Sequence, residues 1–427
     1  MTPLILLELN EVNFEFVEHY ARRGALPAFA RLFERQGYAR TRSEDVYEHV
    51  EPWIQWVTVH TGKRFDEHRV FRLGDGASAG LAQIWEALER KGLKVGAFSP
   101  MNARNAAANA AFFVPDPWTR TGVSAPALMH AAYDAVCQAV GDNAEGRITP
   151  RSAASLAAGL LAYSRPRHWP RYLADAVAGL SSHWPRAVFL DRFLADCFLR
   201  LWRRTRPDFA TAFFNGAAHL QHHYLFNSAA YGGPYRNPPW YLPAGVDPVL
   251  AIYRLYDGLL GDCLSLEPRP RVMIATGLHQ DPVDEPVFYW RLRDHAAFLR
   301  AIGCGFARVE PRMSRDFLVV CGDRAQAAAT AARLASGRAG GVPLFEVDSR
   351  GDSLFVTLAY PREITAGLAA AFDGAGIPDL ARETVFVALK NGHHNGIGYF
   401  ADSGERAAPG AAPFPLTELW QRMLGAF

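Results

Sequence analysis

Phe209-Ala-Thr-Ala-Phe-Phe214 runs straight into Asn215-Gly-Ala-Ala-His219-Leu-Gln-His222-His223. The first six residues have the length and aromatic content of a buried strand. A polar side chain at its end, with histidine four residues on, predicts two candidate ligands at the carboxyl edge of a sheet, where open α/β sheets keep their chemistry. Imidazole is the commonest metal ligand near neutral pH, and three histidines lie within residues 219–223. The bland alternative is a polar, aromatic loop whose histidines form hydrogen bonds and nothing more.

Outward from this stretch the same texture recurs. Leu4-Ile-Leu-Leu-Glu8-Leu9 reads as a first buried strand ending in Asn10 and Glu11, and Leu26-Pro27 to Gly37 as a helix with proline at its start and glycine at its end. Val95-Gly-Ala-Phe-Ser99 and Arg271-Val-Met-Ile-Ala-Thr276 are further strands, with helical spacing over Gly80 to Lys91 and Pro248 to Leu264. Such alternation predicts an α/β fold, a mostly parallel central sheet with helices on both faces. Residues 125–204 are rich in Ala and Leu with helical periodicity, which predicts a helical insertion. Residues 290–384 read as β-α-β-β, a small α+β cap subdomain with Arg350-Gly-Asp352 in a turn. The core then comprises residues 1–124, 205–289 and 385–427.

The formal charge of +2 over 427 residues offers no electrostatic argument for nucleic acid or for an anionic membrane, so neither is an expected partner. Five scattered cysteines form no Cys-x-x-Cys pair. The amino-terminal run lacks a basic flank and no segment reaches the length of a spanning helix. A cytoplasmic location and a small-molecule substrate are the expectations, with oligomeric state open.

Polar clusters follow several core strands: Glu8/Asn10/Glu11, Asn215/His219, His279/Asp281 and His393/His394, joined by Glu51 before a helix. Here the sequence resembles the alkaline phosphatase superfamily, on its type I phosphodiesterase/nucleotide pyrophosphatase side. Leu6-Leu7-Glu8-Leu9-Asn10-Glu11 is similar to the opening strand that ends in Asp-Gly, and Asn215-x-x-x-His219 to Asp-x-x-x-His. Leu278-His279-Gln280 stands where the family has Asp-His-Gly, and Gly392-His393-His394-Asn-Gly-Ile-Gly398 resembles Gly-x-His-x-x-x-Gly. The resemblance implies a two-metal hydrolase with three Asp, three His and a Thr or Ser nucleophile. The histidine positions survive as His219, His279 and His394. The aspartates become Asn10, Asn215 and Leu278, and the nucleophile position holds Pro52 after Glu51.

Two adjacent dications need anionic ligands to offset their repulsion. Three lost carboxylates therefore favour one divalent metal, zinc foremost with iron or manganese as alternatives, held by His219, His279 and His394 with Glu51 or Glu8. Glu11 and Asp281 are further replacement carboxylates. The leading expectation is a hydrolase of the phosphodiesterase or phosphatase kind, acting on a phosphate-type ester through metal-activated water. Glu51 serves as ligand or general base, Asn10 and Asn215 as donors to substrate oxygens, and His222 or His223 as proton donor. The alternatives are a catalytically silent homologue that binds a ligand or partner, and a single-metal enzyme with non-hydrolytic chemistry.

Overall fold

All six side chains of the strand Leu4–Leu9 are buried, the charged Glu8 among them. A strand dry on both faces belongs at the centre of a covered sheet. In the computed structural model, which describes residues 1–141, 148–312 and 315–427, Leu4–Leu9 pairs in parallel with Phe209–Phe214 on one side and Arg271–Ala275 on the other. The full sheet runs Phe414–Pro415, Ala39–Arg42, Ile397–Asp402, Arg271–Ala275, Leu4–Leu9, Phe209–Phe214, Val95–Phe98, Phe112–Val114. Ile397–Asp402 is antiparallel to both neighbours, and the remaining pairings are parallel. The expected α/β architecture is present.

Alternation along the central strand feeds two cores. Ile5, Leu7 and Leu9 pack with Phe14, Phe29, Phe198 and Tyr253 on one face, whereas Leu4 and Leu6 pack with Trp56, Trp85, Leu419 and Met423 on the other. The helices begin where local chemistry permits. Asn13 caps Phe14–Arg22 by accepting the amides of Glu15 and Phe16. Pro27 opens Pro27–Gln36, whose next two N–H groups donate to Asp257 from a different helix. Pro52–Thr61 ends at Gly62 with φ of 69°, the left-handed closure that glycine accommodates.

Among the described residues of 125–204 the main elements are the helices Ala127–Gly141, Pro150–Tyr163, Trp169–Ala178 and Trp184–Thr205. By its contacts the chain forms two compact units, Met1–Pro282 with Gly392–Phe427, and Val283–Asn391. The helices thus belong to the unit of the large sheet. The smaller unit is wider at both ends than the expected 290–384, and the long strands His279–Leu292 and Thr384–Asn395, in which its ends fall, pair with each other. A boundary inside a continuous strand leaves no mark in the hydrophobic pattern. Within the smaller unit Phe345–Arg350, Ser353–Leu358, Asp316–Val320 and Arg308–Pro311 form an antiparallel sheet. The turn at Arg350-Gly-Asp352 places Gly351 at φ of 75°. No helix among the described residues is long and apolar enough to cross a membrane.

Candidate metal centre

The chain leaves the central strand through Asn10 and then Glu11, whose φ of 60° is left-handed. That conformation costs a non-glycine residue about 1–2 kcal/mol, and the resemblance has glycine there. Two contacts hold it. The Glu11 amide donates to the Thr276 carbonyl (3.0 Å), and the Glu11 carbonyl accepts from Gln221 Nε2 (2.8 Å). Gln221 is held in turn by the Tyr253 hydroxyl, which donates to its Oε1 at 2.6 Å. A backbone so constrained turns a buried carboxylate toward the histidines.

Glu11 Oε1 accepts from Asn10 Nδ2 (3.0 Å) and Oε2 from Gln280 Nε2 (2.5 Å). Oε2 also lies 3.4 Å from Nε2 of His222 and 3.4 Å from Nε2 of His394, and those two nitrogens are 3.3 Å apart. Each ring's other nitrogen meets a carbonyl: His222 Nδ1 the carbonyl of Gly392 (3.3 Å), His394 Nδ1 that of Val50 (3.0 Å). A carbonyl accepts only, so both Nδ1 atoms carry hydrogen and both neutral rings aim an Nε2 lone pair at the Glu11 oxygen and at each other. Three acceptors in a near-equilateral triangle require a proton or a cation among them.

The donor set fits a metal. Atoms about 2.05 Å from a tetrahedral ion are spaced about 3.3 Å apart, which is the spacing of the triangle, and two His with one Glu and an open fourth corner is a donor set of catalytic zinc. Among the described residues Glu11, His222 and His394 are the one group of three or more His, Cys, Asp or Glu whose ligand atoms lie within 4.8 Å of one another. Burial pushes the Glu11 carboxyl up, but His394 and His222 outweigh it and hold the group below the usual carboxylate range. Burial likewise pushes His394 down, and the charge and hydrogen bond of Glu11, the Glu51 charge and the Val50 carbonyl together more than offset it, leaving the ring above its ordinary value. With His222 30% exposed and Glu11 2%, the centre opens to solvent on the His222 side.

The expected trio of imidazoles does not form this cluster. Of the three, His394 belongs to it. His279 has Nδ1 on the Ile397 carbonyl (2.5 Å) and Nε2 on Asp281 Oδ1 (3.1 Å). Both ring nitrogens are thus engaged away from the cluster. That contact, with the Asn395 amide, holds the Asp281 carboxyl down at about 2. His219, one helical turn before His223, is solvent-exposed and stacks edgewise on it with centroids 5.0 Å apart. Glu8 lies within the strand and outside the cluster; its Oε1 accepts from Thr211 and meets His60 Nε2 at 3.0 Å. Glu51 stands beside the centre, with Oε2 3.5 Å from His394 Nδ1 and a side chain 32% exposed.

The two asparagines are linked. The Trp56 indole N–H can only donate, so its 2.7 Å contact fixes Asn10 Oδ1 as acceptor. Asn10 Nδ2 therefore faces Glu11 Oε1 and Asn215 Oδ1 (2.8 Å), and both its hydrogens are committed. The expected donation from Asn10 to substrate is closed off. Asn215 accepts from Asn10 and keeps its own Nδ2 hydrogens, with no partner for them among the described residues. The helix Gly216–Tyr224, which carries His222, is capped from outside: Gly216 N–H donates to Asp191 (2.9 Å) and Ala217 N–H to the Tyr256 hydroxyl (3.1 Å).

No protein-family pattern matches the sequence, and no curated protein matches it. Among solved structures the chain is similar to phosphonoacetate hydrolase from Sinorhizobium meliloti 1021 in complex with phosphonoacetate, at 13% identity and a TM-score of 0.44, covering 100% of this chain and 95% of that one. It is also similar to murine ectonucleotide pyrophosphatase/phosphodiesterase 5 in complex with AMP, at 8% identity and 0.45, covering 100% and 94%. The human form stands at 9% and 0.43, again with 100% and 94% covered. Likeness at this level assigns no activity, substrate or residue role to the present chain.

Proposed function

We propose that the protein is a single-metal enzyme of alkaline-phosphatase-like architecture that hydrolyses or transfers a phosphate-type ester of a small molecule. The observation that carries the reading is the triangle of Glu11 Oε2, His222 Nε2 and His394 Nε2, with edges of 3.3–3.4 Å and both tautomers set by main-chain carbonyls. Zinc suits that donor set best, with iron or manganese as alternatives. Bound there, a divalent ion supplies a Lewis acid toward a phosphoryl oxygen and lowers the pKa of water.

The chain's own groups do the rest. Asn215 Nδ2 donates to a substrate oxygen, a task that ionised aspartate at this position could not perform. Glu51, partly open to solvent beside His394, accepts a proton from the attacking water. His222 acts as ligand rather than as proton donor, which leaves His223 for the leaving group. Five free thiols fit a reducing cytoplasm.

Chelator-free purification followed by elemental analysis tests the reading, together with turnover of bis(p-nitrophenyl) phosphate before and after metal stripping. One equivalent of metal and metal-dependent turnover support it; folded, metal-free protein overturns it. A second reading, a silent homologue that binds a ligand, is favoured by Pro52, which places no hydroxyl where the resemblance has a nucleophile. Metal without turnover of any phosphate ester would favour that reading or non-hydrolytic chemistry.

A further inference from the structure

The helix Trp169–Ala178 buries Tyr172 and turns an apolar stripe outward. Trp169, Leu173 and Val177, spaced four residues apart, are 50%, 68% and 59% exposed, and Leu180 beyond the helix end is 85% exposed. Its inward side carries Tyr172, whose ring packs on Phe189 in the core while its hydroxyl donates to Asp196 (3.0 Å), and Asp175, which receives the Arg192 guanidinium (3.0 Å). A surface helix ordinarily turns its apolar stripe to the core. Four large apolar side chains gathered outward mark an interaction face.

Charge identifies the occupant. Residues 148–206 hold ten arginines and no lysine against Asp175, Asp191 and Asp196, an excess of seven positive charges in a chain whose total is +2. Asp191 and Asp196 are buried and Asp175 is paired inward, whereas Arg171 and Arg186 are exposed in the same helical region; Arg167, also exposed, is paired with Asp262. The small net charge thus conceals a strongly basic helical region. We propose that this face docks onto an anionic lipid bilayer. The four apolar side chains enter the headgroup–acyl boundary while the arginines meet lipid phosphates, which guanidinium engages bidentately. Ten helical residues span about 15 Å, so the helix lies in the interface rather than crossing it. A second copy is the poorer occupant, because self-association would oppose like charges.

The test is sedimentation of the full chain with phosphatidylcholine vesicles, with and without phosphatidylserine. Binding is expected with phosphatidylserine and not without it. Leu173→Asp and Arg171→Glu should each weaken it roughly tenfold at unchanged melting temperature, since both side chains are exposed; should Leu173→Asp misfold, Arg171→Glu carries the test. Failure to bind anionic vesicles overturns the proposal, as does binding that neither substitution weakens. A concentration-dependent dimer abolished by Leu173→Asp overturns it in favour of a second copy.

Discussion

His222 and His394 face each other through their Nε2 atoms at 3.3 Å, and each ring's Nδ1 is held by a carbonyl from a separate part of the chain, Gly392 and Val50. Neither ring can turn its hydrogen inward without breaking that bond. The arrangement is stable with a positive species between the rings and Glu11, and it defines which substitutions should matter.

Removing a corner should remove the metal. His222→Ala is expected to reduce bound metal from one equivalent to a trace, measured by elemental analysis of chelator-free protein. His279→Ala should leave metal content unchanged, because both its nitrogens are engaged elsewhere. Loss of metal in His279→Ala with retention in His222→Ala would invert the assignment.

Gly392 has no room for a side chain. A Cβ there would stand 2.2 Å from Gln280 Oε1 and 3.2 Å from the Gln221 carbonyl. Gln280 holds Glu11, and the Gly392 carbonyl holds His222. Gly392→Ala should therefore cost about 1–3 kcal/mol and weaken metal binding, read by chemical denaturation and by metal titration. Wild-type values for both would show that the cleft relaxes freely.

Restoring the aspartate of the resemblance should harm rather than help. Asn10→Asp replaces two donated hydrogen bonds, to Glu11 Oε1 at 3.0 Å and Asn215 Oδ1 at 2.8 Å, by contacts between acceptors. With Asn10 wholly buried, a loss of about 3–5 kcal/mol follows from the uncompensated charge. Equal or greater unfolding free energy in the variant would refute this account of the asparagine.

Asp191 should give stability a pH dependence. Burial raises its carboxyl from 3.8 to about 6, against hydrogen bonds from Tyr256 and Gly216. A folded-state value above the unfolded one means that this contribution is complete below about pH 4 and lost as pH rises through about 6. Asp191→Asn keeps an acceptor and does not titrate, so wild type should lose up to about 3 kcal/mol relative to it between pH 4 and 7. Parallel stability–pH curves for the two proteins would exclude the effect.

Much of the scaffold was legible because its signals are local. Leu4–Leu9 and Phe209–Phe214 announce themselves by continuous apolar character, and Pro27, Gly62 and Gly351 by the backbone angles they supply. The candidate site was legible only in its ingredients. Glu8 and Glu11 look equivalent in sequence, yet the pleat sends Glu8 to Thr211 and His60 while the left-handed turn sends Glu11 to the histidines. His219 and His222 share one short helix, and their rotational positions place one against His223 and the other at Glu11.

The sequence by itself determined the covered parallel sheet, the helical stretch, the late α+β segment and the conjunction of histidines with strand ends, since hydrophobic period and turn chemistry act over a few residues. Tertiary structure alone decided which donors meet. Ligand spacing is set to a fraction of an ångström among residues 11, 222 and 394, and each tautomer by a carbonyl from yet another segment. It also decided that the apolar stripe of Trp169, Leu173 and Val177 faces outward, because a periodic pattern records that a helix has two faces and not which of them the fold covers.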